Sequence, residues 1–282
     1  MRKQLQIESG MPASAFLDAA ETAFADSAAM QTPLLSAAYA WAARPWRGDV
    51  RAWLAWRGDT CAGAALLGPG GELDHAGSAA DADAWAVTFG SVLAGVRWLA
   101  GERLAVAALL RALRGHGLRS RRMMMTEVLA IDTPDALPPS ADVRGTYGMA
   151  VERDSEQLSF WLRDFIAETR LSPIERPDRA VSALIARGDL RVWRVDGVPV
   201  SMIAVVARTR RATRCSLVYT PPALRRRGYA HACTGATTRT LLAEACGTCC
   251  VHVRIADAAA RSLYASLGYQ GLGFRVEGQC SE

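Results

Sequence analysis

Residues 215–230 read CSLVYTPPALRRRGYA and carry the clearest structural signal in the chain. The stretch opens with 217–220, a short apolar and β-branched run that is typical of a buried strand. Pro221 and Pro222 then end the strand, because proline has no amide hydrogen to donate to a neighbouring strand. Residues 225–230 follow as Arg-x-x-Gly-x-Ala, and a helix-length segment comes directly after them. The pattern predicts a strand, a basic turn and the start of a helix.

A strand, a basic turn and a helix start in this order are suited to binding a phosphorylated ligand. The first N–H groups of a helix have no partner within the helix, and the helix dipole adds partial positive charge beside them. Gly228 would let the backbone approach the phosphates, since glycine has no Cβ. Arg225, Arg226 and Arg227 raise the local positive potential. A solvated basic turn without a ligand is the alternative interpretation of these three arginines.

The loop is neither of two common phosphate-binding motifs, because it lacks both G-x-G-x-x-G and G-K-[ST]. At residues 217–230 the sequence resembles the GNAT acetyltransferase superfamily, whose acetyl-CoA loop reads Arg/Gln-x-x-Gly-x-Gly/Ala. A second segment, residues 254–273, reads RIADAAARSLYASLGYQGLG and is similar to the closing block of that family. The resemblance implies an α/β fold that uses acetyl-CoA as acyl donor.

The resemblance also assigns roles to individual positions. Backbone N–H groups of residues 226–230 would bind the CoA phosphates, and those of 218–220 would pair with the pantetheine arm and polarise the thioester carbonyl. Asp257 departs from the family pattern, which usually has asparagine there, and an aspartate cannot donate an amide N–H to the cofactor arm. The positions expected to bind acetyl-CoA are Leu217, Val218, Tyr219, Thr220, Arg225, Arg226, Arg227, Gly228, Tyr229, Ala230, Asp257 and Tyr264.

Two residues are expected to carry the chemistry. Tyr264 lies where many GNAT enzymes place a tyrosine whose hydroxyl reaches the CoA sulfur, so the resemblance implies that Tyr264 is the general acid. Glu168 falls at the end of a helix that often lines the acceptor site in relatives, and it is the candidate base. A core tyrosine and an ordinary surface glutamate are the alternatives, and a chain of waters could replace a dedicated base. Ser201 could also face the site, but strand alternation alone does not fix its direction.

The chain repeats one pattern of elements. Residues 51–67 predict a β-hairpin that turns at Gly58, and 190–207 predict a similar hairpin that turns at Gly197, 139 residues later. The first hairpin is followed by Gly-Pro-Gly-Gly and an acidic stretch, so the first copy is expected to be degenerate and to lack a CoA loop. We expect two tandem GNAT-like domains, each a mixed, mostly antiparallel sheet flanked by helices, with boundaries at 1–135 and 146–282 and a linker at 136–145.

Composition narrows the class of protein. Half of the residues are hydrophobic and 22% are charged, as in globular proteins, and the net charge of +5 suits an anionic ligand without requiring nucleic acid. Cys246, Cys249 and Cys250 are interpreted as buried thiols rather than as a metal or redox pair, and no metal is expected. No secretory signal or bilayer-length apolar stretch is visible, so a cytoplasmic location is expected.

Three functions compete at this point. The favoured one is direct acetyl transfer from acetyl-CoA to an amine of a small molecule or protein, with no nucleic-acid or membrane partner and a homodimer as one option. The second is a non-catalytic acyl-CoA-binding or sensing module. The third is nucleic-acid binding through residues 208–214, RTRRATR, which we instead expect to form a solvated hairpin tip. His252 is expected to be structural, and His231 to lie near the phosphates or simply to be exposed.

Overall fold

The computed structural model describes residues 4–44, 49–139, 142–169, 174–244 and 247–281. In this part of the chain each half has the same order of elements: strand, two helices, three strands, helix, strand, helix and strand. The first half contains β1 (Leu5–Ser9), α1 (Ala13–Ala23), α2 (Ala28–Ala42), β2 (Arg51–Arg57), β3 (Thr60–Leu67), β4 (Glu72–Ala76), α3 (Ala82–Phe89), β5 (Trp98–Glu102), α4 (Arg103–Leu113) and β6 (Arg119–Ile131). The second contains β7 (Thr146–Met149), α5 (Ser155–Thr169), α6 (Pro177–Ala186), β8 (Leu190–Val195), β9 (Val198–Arg208), β10 (Ala212–Tyr219), α7 (Tyr229–Ala243), β11 (Thr248–Arg254), α8 (Ala258–Ser266) and β12 (Gln270–Ser281).

All twelve strands belong to one sheet, in the order β1-β2-β3-β4-β5-β12-β6-β11-β10-β9-β8-β7. Among the described strands, the pairs β4–β5 and β10–β11 are parallel and the other neighbours are antiparallel. Each strand has a counterpart in the other half, β1 with β7, β2 with β8 and so on to β6 with β12. When every strand is exchanged with its counterpart, the order read from one edge equals the order read from the other. The sheet therefore has a pseudo-twofold relation centred on the β6–β12 pair.

The last strand of each half lies against the other half. Strand β12 pairs with β5 and with β6, both from the first half, and β6 pairs in turn with β11 of the second. The expected fold class, a mixed α/β protein with a mostly antiparallel sheet and flanking helices, is confirmed. The sheets of the two halves are joined into one, and the expected boundaries at 1–135, 136–145 and 146–282 stay a prediction. Residues 140 and 141 of that linker lie outside the described part of the chain.

Alternating side chains place four helices on each face of the sheet. Trp53 on β2 packs with the core formed by α3 and α4, whereas its neighbour Leu54 packs with α1 and α2. In the second half Ile203 packs with α7 and α8, and its neighbour Met202 packs with α5 and α6. Ala212 of β10 belongs to the α1–α2 core. Helix α2 thus extends over strands of the second half, on the same face as α5.

The structure corrects one interpretation of the sequence. The segment 208–214 is not wholly a solvated hairpin tip, because β9 ends at Arg208 and β10 begins at Ala212, which leaves Arg214 inside a strand. At the tip itself, Arg210 donates to Asp18 at 2.6 Å. No helix among the described residues is long and apolar enough to cross a membrane.

A buried ion pair fixes the centre of the sheet to the helical layer. Arg275 on β12 is 4% exposed and donates to both carboxylate oxygens of Asp74 on β4 at 2.8 Å. It also donates to the carbonyl of Met30 at 2.9 Å and to Oε1 of Gln31 at 3.1 Å, both on α2. One side chain of the second half therefore links a strand and a helix of the first.

Replacing Arg275 by methionine is expected to lower the free energy of unfolding by about 3 kcal/mol, because Asp74 and two acceptors on α2 lose their buried partner. The double variant Arg275→Met, Asp74→Leu should recover much of this loss, since no unpaired charge remains. Urea unfolding followed by circular dichroism measures both. Equal stability of the single variant and the parent chain would contradict the assignment.

Candidate active site between the two halves

The site begins where strands β10 and β11 separate. Their parallel register runs from Ala212↔Thr248 to Cys215↔Val251 and ends there. On its other side β10 has irregular pairing with β9 between Ser216 and Tyr219, and Leu217 within this bulge has φ 55°. A bulge bends its strand and leaves the extra residue out of the ladder. The two strands therefore diverge and open a gap in the sheet.

A cavity of about 510 Å³ occupies this gap and continues over the sheet toward the first half. Its walls come from β10 and β11, from α8, from the facing ends of α2 and α5, and from the centre of the sheet. The lining residues used below are Ser216, Leu217, Val218, Asp257, Tyr264, Pro33, Phe165, Thr169, Asp74, Arg214, Arg254, Arg275 and Glu277. Leu217, Val218, Asp257 and Tyr264, four of the positions expected to bind acetyl-CoA, all line this cavity, and their binding role stays a prediction.

Hydrogen bonds hold the end of β10 in position. The Ser201 hydroxyl donates to the Tyr219 carbonyl at 3.2 Å, and the Thr220 hydroxyl donates to the Ser201 oxygen at 2.9 Å. Ser201 is fully buried. It therefore supports the strand end that follows the bulge and does not face the cavity. Thr220 is also buried, and its hydroxyl takes part in the same hydrogen bonds that support the strand end.

The basic turn that follows has the backbone expected of an anion-binding loop. Gly228 has φ 80° and is the N-cap of α7, and Arg226 has φ 65°. Positive φ at alternate residues is the backbone in which successive N–H groups can face one anion. The first N–H groups of α7, which begins at Tyr229, lack partners within the helix. A Cβ on Gly228 would also lie 2.9 Å from a methyl carbon of Val143, so glycine is required for both conformation and space.

The three arginines of the turn do not act alike. Arg225 donates to both oxygens of Glu168, at 2.7 and 2.8 Å, and its Nε donates to the Thr220 carbonyl at 2.8 Å. Its charge is therefore matched locally by Glu168. Arg227 makes a long bond of 3.4 Å to the carbonyl of Ala223, and both Arg226 and Arg227 are exposed. The positive potential toward solvent comes mainly from these two residues.

Glu168 lies beside the cavity, in contact with Tyr219 as well as Arg225. The Tyr219 hydroxyl donates to Glu168 at 3.4 Å and to Asp164 at the same distance. Burial, followed by the charges of these two carboxylates, raises the pKa of Tyr219 to about 12. The side chain of Glu168 is 45% exposed. Its role as general base stays a prediction, and in this conformation the carboxylate ties the end of α5 to the basic turn.

Tyr264 is almost fully buried on α8, on the opposite side of the cavity from Phe165 and Thr169 of α5. Burial raises the pKa of its hydroxyl well above the ordinary value, with smaller contributions from Cys215, Cys249 and Asp257. The phenol therefore keeps its proton at neutral pH. Asp257 is the N-cap of α8 and accepts the N–H of Ala260 at 2.9 Å, so this carboxylate supports the helix that carries Tyr264.

The histidine of β11 is structural, as expected. His252 Nε2 lies 3.2 Å from the carbonyl of Ala29 and 3.4 Å from the Thr32 hydroxyl, and both partners are on α2. Burial, with the nearby charges of Arg214 and Arg275, lowers its pKa well below the ordinary value. His252 is therefore neutral and connects the two halves. Cys249 and Cys250 are buried and form no disulfide among the described residues, while Cys246 lies outside that part of the chain.

The corresponding region of the first half is built differently. Strands β4 and β5 pair in parallel up to His75↔Gly101, but the following helix α3 has Asp81 as its N-cap and Asp83 in its first turn. Carboxylates at a helix start disfavour a phosphate there. His75 is fully buried, with its ring centroid 5.0 Å from that of Trp85, and Trp85 stacks on Phe89 at 5.3 Å. These aromatic rings fill the space under the strands.

His75 makes the free energy of unfolding depend on pH. Burial, with a smaller contribution from Arg275, lowers its pKa to about 4, and neither ring nitrogen has a hydrogen-bond partner among the described residues.

As the pH falls, the unfolded chain protonates this histidine at a higher pH than the folded chain does. The free energy of unfolding should therefore fall between pH 6.5 and pH 4, by about 3 kcal/mol from this residue. The variant His75→Leu should lose that part of the pH dependence in urea unfolding at pH 7 and pH 4. His116→Leu, at an exposed histidine, is the control and should keep it. Parallel pH profiles of the parent and His75→Leu would contradict the prediction.

Among the residues that the structure covers, no group of three or more His, Cys, Asp or Glu side chains is arranged to hold a metal ion. The sequence expectations missed Arg214, Arg275 and Asp74, which share the cavity. Arg214 could have been found from the buried Cys215 next to it, because neighbours on a strand face opposite sides of a sheet.

Comparisons with known proteins agree with this geometry. Residues 195–276 match the model of the FR47-like protein family. No curated protein matches the sequence. A GCN5-related N-acetyltransferase from Sphaerobacter thermophilus is similar in structure, with a TM-score of 0.63 and 19% identity over 99% of this chain and 95% of that one.

Two further solved structures extend the likeness. A GNAT-family acetyltransferase from Colwellia psychrerythraea has a TM-score of 0.61 at 11% identity, covering 98% of this chain and 100% of its own. A tandem GNAT protein from the clavulanic acid biosynthesis pathway has a TM-score of 0.56 at 11% identity, covering 99% and 98%. The chain therefore shares the fold of these GNAT acetyltransferase structures, and residues 195–276 in its second half match the FR47-like family model.

Proposed function

We propose that the protein is an acetyl-CoA-dependent N-acetyltransferase whose donor site lies in the second half. The observation that carries this proposal is the gap between β10 and β11, whose cavity is lined by Leu217 and Val218 at the end of β10 and by Tyr264 of α8. A long ligand with an anionic end and a narrow uncharged arm fits such a gap. The solved relatives named as acetyltransferases share this fold, which favours acyl transfer over other chemistry.

The residues of the basic turn suit the phosphate end of the donor. Backbone N–H groups at the start of α7 would bind the pyrophosphate, and the positive φ of Arg226 and Gly228 supports the required turn. Arg226 and Arg227 would add charge from the solvent side. Arg225 would act indirectly, because its bonds to Glu168 and Thr220 hold the turn against α5 and β10.

The bulge in β10 suits the uncharged arm. Because Leu217 has a positive φ, the strand leaves its regular pairing and its backbone groups become available beside the cavity. The N–H groups of residues 218–220 would bind the arm and polarise the carbonyl that is attacked. Ser201 and Thr220 keep this stretch rigid from behind, so little reorganisation is needed when a ligand binds.

Acetyl-CoA supplies the acetyl group as an activated thioester. Tyr264 would donate its phenolic proton to the leaving sulfur, and its raised pKa ensures that the proton is present at neutral pH. Glu168 remains the proposed base for the acceptor amine, and Arg225 would have to yield one of its two bonds for Glu168 to take that proton. The acceptor would be a small-molecule or protein amine that enters between α2 and α5.

The donor site can be tested with a variant that should not strain the backbone. Ala230→Glu places a carboxylate in the first turn of α7, where it suits the helix dipole but repels a pyrophosphate. We expect the affinity for acetyl-CoA, measured by calorimetry, to fall at least about tenfold while the melting temperature is kept.

The matched control is Ala84→Glu, the same change at an exposed position in the first turn of α3. Because that helix start already carries acidic residues, the control should bind acetyl-CoA like the parent chain. Loss of affinity in both variants, or in neither, would count against the donor site in the second half. Absence of binding by the parent chain would remove the proposal.

Tyr264→Phe separates a transferase from a binding module. If Tyr264 is the acid, the variant should keep its affinity for acetyl-CoA and lose about 10²- to 10⁴-fold in turnover. The control is Tyr269→Phe, whose ring lies 5.3 Å from that of Tyr264 but whose hydroxyl bonds Thr238 at 2.8 Å. Tight binding without turnover in the parent chain, across a broad panel of amines, would favour the non-catalytic acyl-CoA sensor instead.

A further inference from the structure

Arg214 occupies an unusual position in the cavity. It lies on β10 opposite Cys250 of β11, on the face of the sheet that α2 covers, and it forms part of the cavity wall. Its Nε is buried and has no hydrogen-bond partner among the described residues. Burial, with the charge of Arg275, lowers the pKa of the guanidinium. A buried guanidinium N–H without a partner is costly, because its desolvation is not offset by a hydrogen bond.

The pseudo-twofold relation shows what is missing around Arg214. The last parallel pairs of the two halves, His75↔Gly101 and Cys215↔Val251, make Asp74 the counterpart of Arg214. Asp74 is neutralised by Arg275, which precedes the residue paired with Gly101. The counterpart of Arg275 beside the second parallel pair precedes Leu129, the partner of Val251, and it is Val128 on β6. An ion pair therefore stands beside the first parallel pair, whereas beside the second the counterpart of Arg275 is a valine, which cannot pair with the charge of Arg214.

The charges around the cavity limit what can pair with Arg214. Arg275 already donates to Asp74 and to two acceptors on α2. Of these two arginines, Arg214 is therefore the one with a buried N–H that has no acceptor among the described residues. Glu277 also lines the cavity, and burial together with Asp74 raises its pKa. A group with two negative charges would be repelled by these carboxylates, whereas a single carboxylate would be matched by Arg214.

We infer that Arg214 binds a carboxylate of the acceptor, so that the cavity accepts an amine of the amino-acid type. This rests on the proposed function for the transfer step. Leu217 and Val218, where the donor arm is proposed to lie, follow Arg214 by three and four residues on the same strand. An acceptor whose carboxylate sits at Arg214 would therefore present a nearby amine toward the donor. The guanidinium selects and orients the acceptor and takes no part in proton transfer.

The test compares common amino acids with their α-carboxamides, which differ only in the charge and acceptor pattern of the carboxyl group. Calorimetric titration into protein saturated with CoA measures binding without turnover. Release of the CoA thiol from acetyl-CoA measures transfer for the same compounds. For at least one amino acid, we expect the acid to be favoured over its amide by about tenfold or more in affinity and in kcat/KM.

Two variants locate this preference. Arg214→Met should reduce the difference between acid and amide to less than about threefold, and Arg214→Lys should restore part of it, because it returns the charge without the planar pair of donors. Arg254→Met removes another arginine of the cavity wall and should keep the preference. Unchanged acetyl-CoA affinity and an unchanged melting temperature of Arg214→Met show that the variant is folded.

Each result decides between the two proposals. An acid preference that depends on Arg214 supports the carboxylate site even if no transfer occurs, in which case the transferase proposal fails alone. Transfer to amines with no acid preference overturns the carboxylate site and leaves the transferase proposal standing. The site is also overturned if the preference survives in Arg214→Met, if it is lost in Arg254→Met instead, or if no amino acid binds.

Discussion

The pairing of β6 with β12 is the constraint on which the rest of the structure depends. Ten residue pairs join these strands, from Gln270↔Ala130 to Ser281↔Arg119, and each strand also completes the sheet of the other half. Each strand from β1 to β7 in the sheet order is therefore paired with its neighbour, although β10 and β11 diverge beyond Cys215 and Val251. Because the centre of the sheet is shared, α2 of the first half lies over β10 and β11 of the second. The cavity exists only as a product of both halves.

The two copies of the fold differ most at the point where their parallel strands end. In the second copy the strands diverge, and Gly228 gives a turn that a ligand can approach. In the first copy, Trp85 and His75 occupy the equivalent space, and the helix start is acidic. The first half thus contributes packing, the ion pair of Arg275 with Asp74, and one wall of the cavity. These differences are the basis for proposing a single donor site in the second half.

Much of the second half could be predicted from the sequence, because its signals are local. Two prolines end β10, and Gly228 marks a turn, so these features follow from backbone chemistry within a few residues. The exchange of β6 and β12 depends on contacts across more than a hundred residues and leaves no local pattern. The ion pairs of Arg225 with Glu168 and Arg275 with Asp74 are missed for the same reason. Composition shows how many charges exist, whereas only the packed chain shows which of them meet.

The shared sheet also orders events during synthesis. Strand β12 is the last described element of the chain, yet it lies between β5 and β6, which are made more than a hundred residues earlier. Until β12 emerges from the ribosome, the first half has two strand edges without their final neighbour. Exposed edges of this kind invite wrong pairings, and contacts between distant residues form slowly. The nascent chain therefore has to keep β5 and β6 apart from other strands until β12 has been made.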